Sequence, residues 1–159
     1  MTIKPLTGIL VSLFFMSQSA HSARDCFELA GRYYKIDPDL LRAVAWHESR
    51  YNMAAIGRNK DGSIDVGIMQ INSRNFSHLE KFGITQHHLK NDPCMNIYTG
   101  AYYLSVAFNR WGINWVSVGA YNAGFKKNDI QNKRRKIYAE NVYNIYTKIK
   151  YSKIAKNTN

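Results

Sequence analysis

This sequence predicts a mainly α-helical domain of the α+β class with one small β-hairpin. Two observations carry the prediction. Apolar residues recur at intervals of three and four along most of the chain, as helices with one buried face require. Between residues 59 and 71 the period changes to two: Ile64, Val66 and Ile68 alternate with other residues, just after the turn-forming pair Asp61-Gly62.

Asp25 to Tyr34 forms a short helix with Phe27, Ala30 and Tyr34 turned inward. Asp37 to about Arg50 forms the next. Asp37 suits its N-cap, Pro38 its first helical position, and Ile36 with Leu41 a hydrophobic staple. Asn59 to Ile71 is the hairpin or extended flap, and Asn75 to Lys90 holds a short helix with a loop at Gly83. Asn96 to Arg110 is helical, with Ile97, Ala101, Leu104 and Phe108 on one face. Asn114 to Asn122 follows, carrying Trp115 and Val118 and stopped near Gly124. Lys133 to Lys150 is the last helix, with Tyr138, Val142, Ile145 and Ile149 along one stripe. Trp111 and Trp115 belong to the core on this reading, and no repeat or internal linker interrupts the chain.

The ends are read separately. Residues 1–22 combine Lys4, an apolar run from Gly8 to Met16 and a small polar stretch in which Ala20 and Ser22 suit a cleavage site. They read as a secretory signal peptide, the apolar run being well short of the ~20 residues a membrane span needs. One domain covers residues 23–150, and residues 151–159 form a frayed polar tail. In an exported chain the two cysteines, Cys26 and Cys94, favour a disulfide, with two free buried thiols as the alternative.

The formal net charge of +11 suits an anionic partner: a cell-wall polymer, phospholipid headgroups or nucleic acid. Six of the cations fall between Lys126 and Lys136 beside one acid, Asp129, and read as a solvated face. No nucleic-acid motif and no interleaving of arginine with aromatics accompanies them, so no nucleic-acid partner is expected.

Glu48 is the most informative residue. Leu41, Val44, Ala45 and Glu48 share one helical face, so an apolar stripe ends in a carboxyl group. Apolar surroundings disfavour the charged form and raise such a pKa, which suits an acid catalyst near neutral pH. His47-Glu48 begins like the zinc motif H-E-x-x-H, but Tyr51 stands where the second histidine is required, so no metal is expected and no cofactor is implied. Glycoside cleavage is the remaining candidate. It needs an acid for the leaving oxygen and usually a second carboxylate, for which the hairpin offers Asp65.

Three blocks then stand in order: Glu48-Ser49, Gly67-Ile68-Met69-Gln70 with Ile71-Asn72, and Ala120-Tyr121-Asn122-Ala123-Gly124. Together they resemble the signature blocks of the soluble lytic transglycosylase family, over about Cys26 to Tyr146. The resemblance implies a lysozyme-like fold, with the hairpin beside an active-site cleft, and cleavage of peptidoglycan glycan strands. Within the family the chain looks most like the small enzymes that accompany conjugation, type III secretion and type IV pilus machines, whose cysteine pair Cys26 and Cys94 match. Components of such a machine would be its partners, the periplasm its location and the monomer its working form.

The resemblance also implies roles. Glu48 would protonate the bond between N-acetylmuramic acid and N-acetylglucosamine, then act as base on the muramic acid 6-hydroxyl, leaving a 1,6-anhydro end. Held intramolecularly, that hydroxyl has a large effective-concentration advantage. Ser49 would orient Glu48 or the substrate, Gly67 would let backbone approach the sugar, and Met69, Gln70 and Asn72 would line the cleft. Tyr121 and Asn122 would lie near acid and substrate, and Tyr138 would be a further cleft tyrosine. The stretch Asp61 to Arg74 also resembles the active-site hairpin of c-type lysozymes, in which the residue matching Asp65 is the second catalytic carboxylate. A muramidase using Glu48 and Asp65 is therefore the nearest rival, and a non-catalytic wall-binding assembly factor the rival of another class.

Overall fold

The computed structural model describes residues 26–158, so the predicted signal peptide lies outside the described residues. A first helix, α1, is described over residues 26–34. α2 spans Pro38–Ser49. Three short strands follow, β1 (Ile56–Arg58), β2 (Ile64–Val66) and β3 (Ile71–Asn72), then a 3-10 turn at Ser73–Asn75. The rest is helical: α3 (Phe76–Glu80), α4 (Gln86–Asn91), α5 (Pro93–Trp111), α6 (Trp115–Ala123) and α7 (Asp129–Asn157).

Caps fix the ends of these helices. The Asp37 carboxylate accepts the Asp39 N–H at 2.8 Å and Pro38 opens α2, while Arg50 closes it in the left-handed region. Asp92, Asn114 and Asn128 cap α5, α6 and α7, each accepting a backbone N–H three residues on. Cys26 and Cys94 form a disulfide, with Cα atoms 5.3 Å apart, that joins α1 to the first turn of α5.

The core lies between α2, α5 and α7, with the sheet and α6 against it. Leu41, Val44, Ile97, Leu104 and Val142 are completely buried, each stabilising the fold by about 1.5–3 kcal/mol relative to exposure. α6 and α7 approach so closely at Gly119 that a Cβ there would stand 2.3 Å from the Arg135 carbonyl oxygen.

The structure amends several sequence expectations. The strand alternation stops at Val66, because residues 67–70 turn with positive φ at Gly67 (79°) and Gln70 (50°). The sheet also has a third strand; its antiparallel order is β1-β2-β3, with Gly57 opposite Asp65 and Asp65 opposite Asn72. The last helix does not stop at Lys150. It has no glycine or proline to break it, and Lys153 pairs with buried Asp39 at 2.5 Å, so helix continues through the exposed polar segment to Asn157.

Trp115 is 37% exposed rather than core, its ring edge-on to Tyr143 and Tyr146. With Val116, Ala139 and Tyr143 it lines a groove of about 680 Å³ that includes neither Glu48 nor Asp65. The basic segment is not wholly solvated either. Arg135 is buried, donating to the carbonyls of Gly124 and Lys126 and lying over the Trp111 ring, so it holds the α6–α7 connection.

Candidate active site

Glu48 lies one turn beyond Val44 and Ala45, on the face of α2 that enters the core. Its neighbour Ser49 donates from Oγ to the carbonyls of Ile68 (2.8 Å) and Ala45 (3.2 Å). Ser49 therefore ties the end of α2 to the 67–70 turn, where the sequence placed it on the acid or the substrate.

That turn is held from beneath by Asn96, which the sequence analysis did not single out. The fully buried Asn96 amide donates to the Val66 and Leu89 carbonyls at 2.8 and 2.9 Å, and its oxygen accepts the Met69 N–H at 2.8 Å. A Cβ on Gly67 would stand 2.2 Å from Asn96 Nδ2. The glycine is thus required by this protein contact, and the expected approach to sugar is not where its lack of a side chain is used. Met69 is corrected too: it is 0% exposed and packs on Gly100 instead of lining the cleft. Its carbonyl accepts the Tyr121 hydroxyl at 2.8 Å. Gln70 keeps the turn closed through Nε2, which donates to the Gly67 carbonyl at 2.8 Å and the Ala55 carbonyl at 3.3 Å.

The hairpin presents Asp65 with both carboxylate oxygens occupied. Asn72 Nδ2 donates to one at 2.7 Å and Asn59 Nδ2 to the other at 2.8 Å. The register explains the first contact, since Asp65 and Asn72 face each other across β2 and β3. Asn59, beside the Asp61-Gly62 turn, is a further residue the sequence reading passed over.

A cleft of about 860 Å³ brings these parts together. Glu48, Asp65, Gln70, Asn72, Tyr121 and Asn122 all line it. Tyr138 reaches the acid from α7: its O–H donates to Glu48 Oε1 at 2.5 Å, and its ring stacks with that of Tyr121. Burial pushes the Glu48 carboxyl up to about 7, against the Tyr138 hydrogen bond that favours the charged form, and the charge of Asp65 raises it further. Burial and the Glu48 charge hold the Tyr138 hydroxyl well above its ordinary value, so it stays a donor. His47 turns its ring to the edge of Tyr138, and among the described residues no three His, Cys, Asp or Glu side chains gather as a metal site. The arrangement is a carboxyl group that can give up a proton near neutral pH, on the wall of a cleft that also carries Asp65, Asn72 and Asn122.

Two other cleft residues, Tyr103 and Gln131, also escaped the sequence reading. The available signal for Tyr103 and Asn96 was their place beside the apolar stripe of α5. Gln131 gave none, being hidden in the basic segment.

The fold is lysozyme-like, and its cleft holds a part-buried carboxyl group with a raised pKa. The Transglycosylase SLT domain family matches residues 25–144. The X polypeptide of Escherichia coli K12 is 57% identical over 145 residues, covering 91% of this chain and 85% of that protein. Invasion protein IagB of Salmonella typhi is 43% identical, covering 79% and 78%. Protein IpgF of Shigella flexneri is 38% identical, covering 79% and 81%. Among solved structures, an inactive mutant of the lytic transglycosylase Slt from Pseudomonas aeruginosa shares the fold, with TM-score 0.62 and 23% identity. That match covers 83% of this chain but only 24% of the other. The chain belongs to the SLT transglycosylase family and is a lytic transglycosylase.

Proposed function

We propose that the enzyme cleaves the β-1,4 bond between N-acetylmuramic acid and N-acetylglucosamine in peptidoglycan, leaving 1,6-anhydromuramic ends. One observation carries this reading: a largely buried Glu48 carboxyl, with its pKa near 7, lines a cleft of about 860 Å³. Protonated Glu48 gives its proton to the glycosidic oxygen as the bond to the anomeric carbon breaks. The resulting carboxylate, still hydrogen-bonded by Tyr138, takes the proton of the muramic acid 6-hydroxyl as that oxygen closes on the anomeric carbon. Protons balance over the cycle and no water is consumed. Gln70, Asn72, Tyr121 and Asn122 line the strand's path, while Ser49, Gly67 and Met69 hold the site's backbone.

On this reading the enzyme works in the periplasm, as a monomer that opens the wall for an envelope-spanning secretion, conjugation or pilus apparatus. A Peptidoglycan-binding-like protein of Escherichia coli O157:H7, 36% identical, supports the substrate, and the relative named Invasion protein IagB supports a role at the cell envelope.

Asp65 supports a second reading. Its two amide hydrogen bonds fix a second carboxylate in the same cleft, where it can stabilise an oxocarbenium-like transition state and let water compete. Digestion of purified peptidoglycan followed by mass spectrometry separates the two. Anhydro-muropeptides are expected; reducing ends alone would assign a muramidase, and no released fragments would reject both.

A further inference from the structure

The hydrogen bond from Tyr138 to Glu48 joins two helices, and it holds only while the Tyr138 ring keeps its place. Two other rings meet that ring. Tyr121 of α6 stacks with it, centroids 6.4 Å apart, and is itself tied through its hydroxyl to the Met69 carbonyl. His47 of α2 stands edge-on to it and closer, with centroids 4.7 Å apart. His47 immediately precedes Glu48 in the chain. One stretch of α2 therefore carries both the acid and a ring that bears on the acid's partner.

The imidazole serves there as a shape, not as a charge or a hydrogen-bonding group. Its Nδ1 is buried and makes no hydrogen bond among the described residues. Burial and the Arg50 charge push its pKa below the ordinary 6.5, so the ring is neutral near pH 7. Two neutral aromatic rings in edge contact attract each other in a directional way. On the reading of Glu48 as the acid, we propose that His47 is a positioning residue: its ring braces Tyr138 from α2 and so fixes the phenol on the Glu48 carboxyl.

The test takes pH–rate profiles, with kcat and KM separated, for muropeptide release by the full chain and its variants. His47→Ala removes the brace. Its kcat should fall about three- to tenfold with KM little changed. The alkaline limb of kcat/KM should move to higher pH, the direction in which loss of the Tyr138 hydrogen bond drives the Glu48 pKa. His47→Phe keeps a ring and should restore both quantities. In a Tyr138→Phe background, where no hydroxyl is left to place, His47→Ala should move the limb no further. If His47→Ala does not fold, His47→Leu, which fills space without a ring, replaces it with the same expectations.

A ringless variant whose profile coincides with the wild type would overturn the proposal. So would a limb that moves to lower pH, as admission of water to the carboxyl would cause. A shift that persists in full on the Tyr138→Phe background, or one that His47→Phe does not restore, would overturn it as well. Residual release by Glu48→Gln would reject the acid assignment, and this inference with it.

Discussion

Tyr138 in α7 donates its hydroxyl hydrogen to Glu48 in α2 at 2.5 Å, across 90 residues of sequence. The contact sets two opposing influences on one carboxyl. Burial raises the pKa to about 7, and the tyrosine limits the rise by stabilising the carboxylate form.

Glu48→Gln should abolish fragment release while preserving the fold. It should also change the pH dependence of stability. Glu48 has its pKa near 7 in the folded protein against an ordinary 4.5, so the folded state keeps a proton that the unfolded chain has lost. Its contribution is complete below about pH 4.5 and falls as pH rises through about 7, by at most roughly 3 kcal/mol. Glutamine has no proton to lose, so the variant should gain on the wild type in thermal melts taken from pH 4 to 8. Parallel melting curves, or residual activity, would contradict the assignment.

Tyr138→Phe removes the interaction that lowers the Glu48 pKa. The alkaline limb of kcat/KM, which follows loss of the acid's proton, should move to higher pH. The maximal rate should fall roughly ten- to a hundredfold, because a hydrogen bond to a charged group is worth about 1.5–3 kcal/mol. A pH–rate profile of muropeptide release reads both.

Asp65→Asn acts in the opposite direction. The Asp65 charge raises the Glu48 pKa, so its removal should bring the alkaline limb down. If Asp65 also supports attack by water, any reducing-end products should disappear and leave only anhydro ends. An unchanged profile and product ratio would make Asp65 a bystander.

Gly67→Ala should destabilise the protein by about 3 kcal/mol, seen as a lower urea midpoint. The new Cβ would stand 2.2 Å from Asn96 Nδ2 and 2.9 Å from the Leu89 carbonyl, at a residue whose φ is +79°. A near-neutral effect would mean that Asn96 can move without cost.

Reduction of Cys26–Cys94, or replacement of both by serine, should cost about 4 kcal/mol in the chain-entropy account for a bridge spanning 68 residues. Thermal melts with and without reductant measure it.

Much of this was legible in the sequence, for physical reasons that also mark the limits. The caps at Asp37 and Gly124 and the stripe ending at Glu48 are local patterns, and local patterns survive into the fold. The block at Gly67 was located correctly but its reason was not, because only the tertiary structure brings Asn96 beneath it. Met69, expected in the cleft, is buried, and Trp115, expected in the core, is part-exposed: residue type says that a side chain is apolar, not which wall it meets. Arg135 hid in a run of cations, although its guanidinium is buried on backbone carbonyls. Tyr103 and Gln131 are defined by missing partners, which no pattern in a single sequence encodes.

The position of Tyr138 in the final helix also fixes when the enzyme becomes competent. α2 leaves the ribosome, and crosses any export channel, long before α7 does. Until α7 docks, Glu48 lacks its tyrosine partner, and Asp37 and Asp39 lack Tyr146, Lys150 and Lys153. A nascent or half-translocated chain therefore carries the acid without its setting. The surroundings of this carboxyl are thus assembled from the two ends of the chain and are complete only once the last helix has docked.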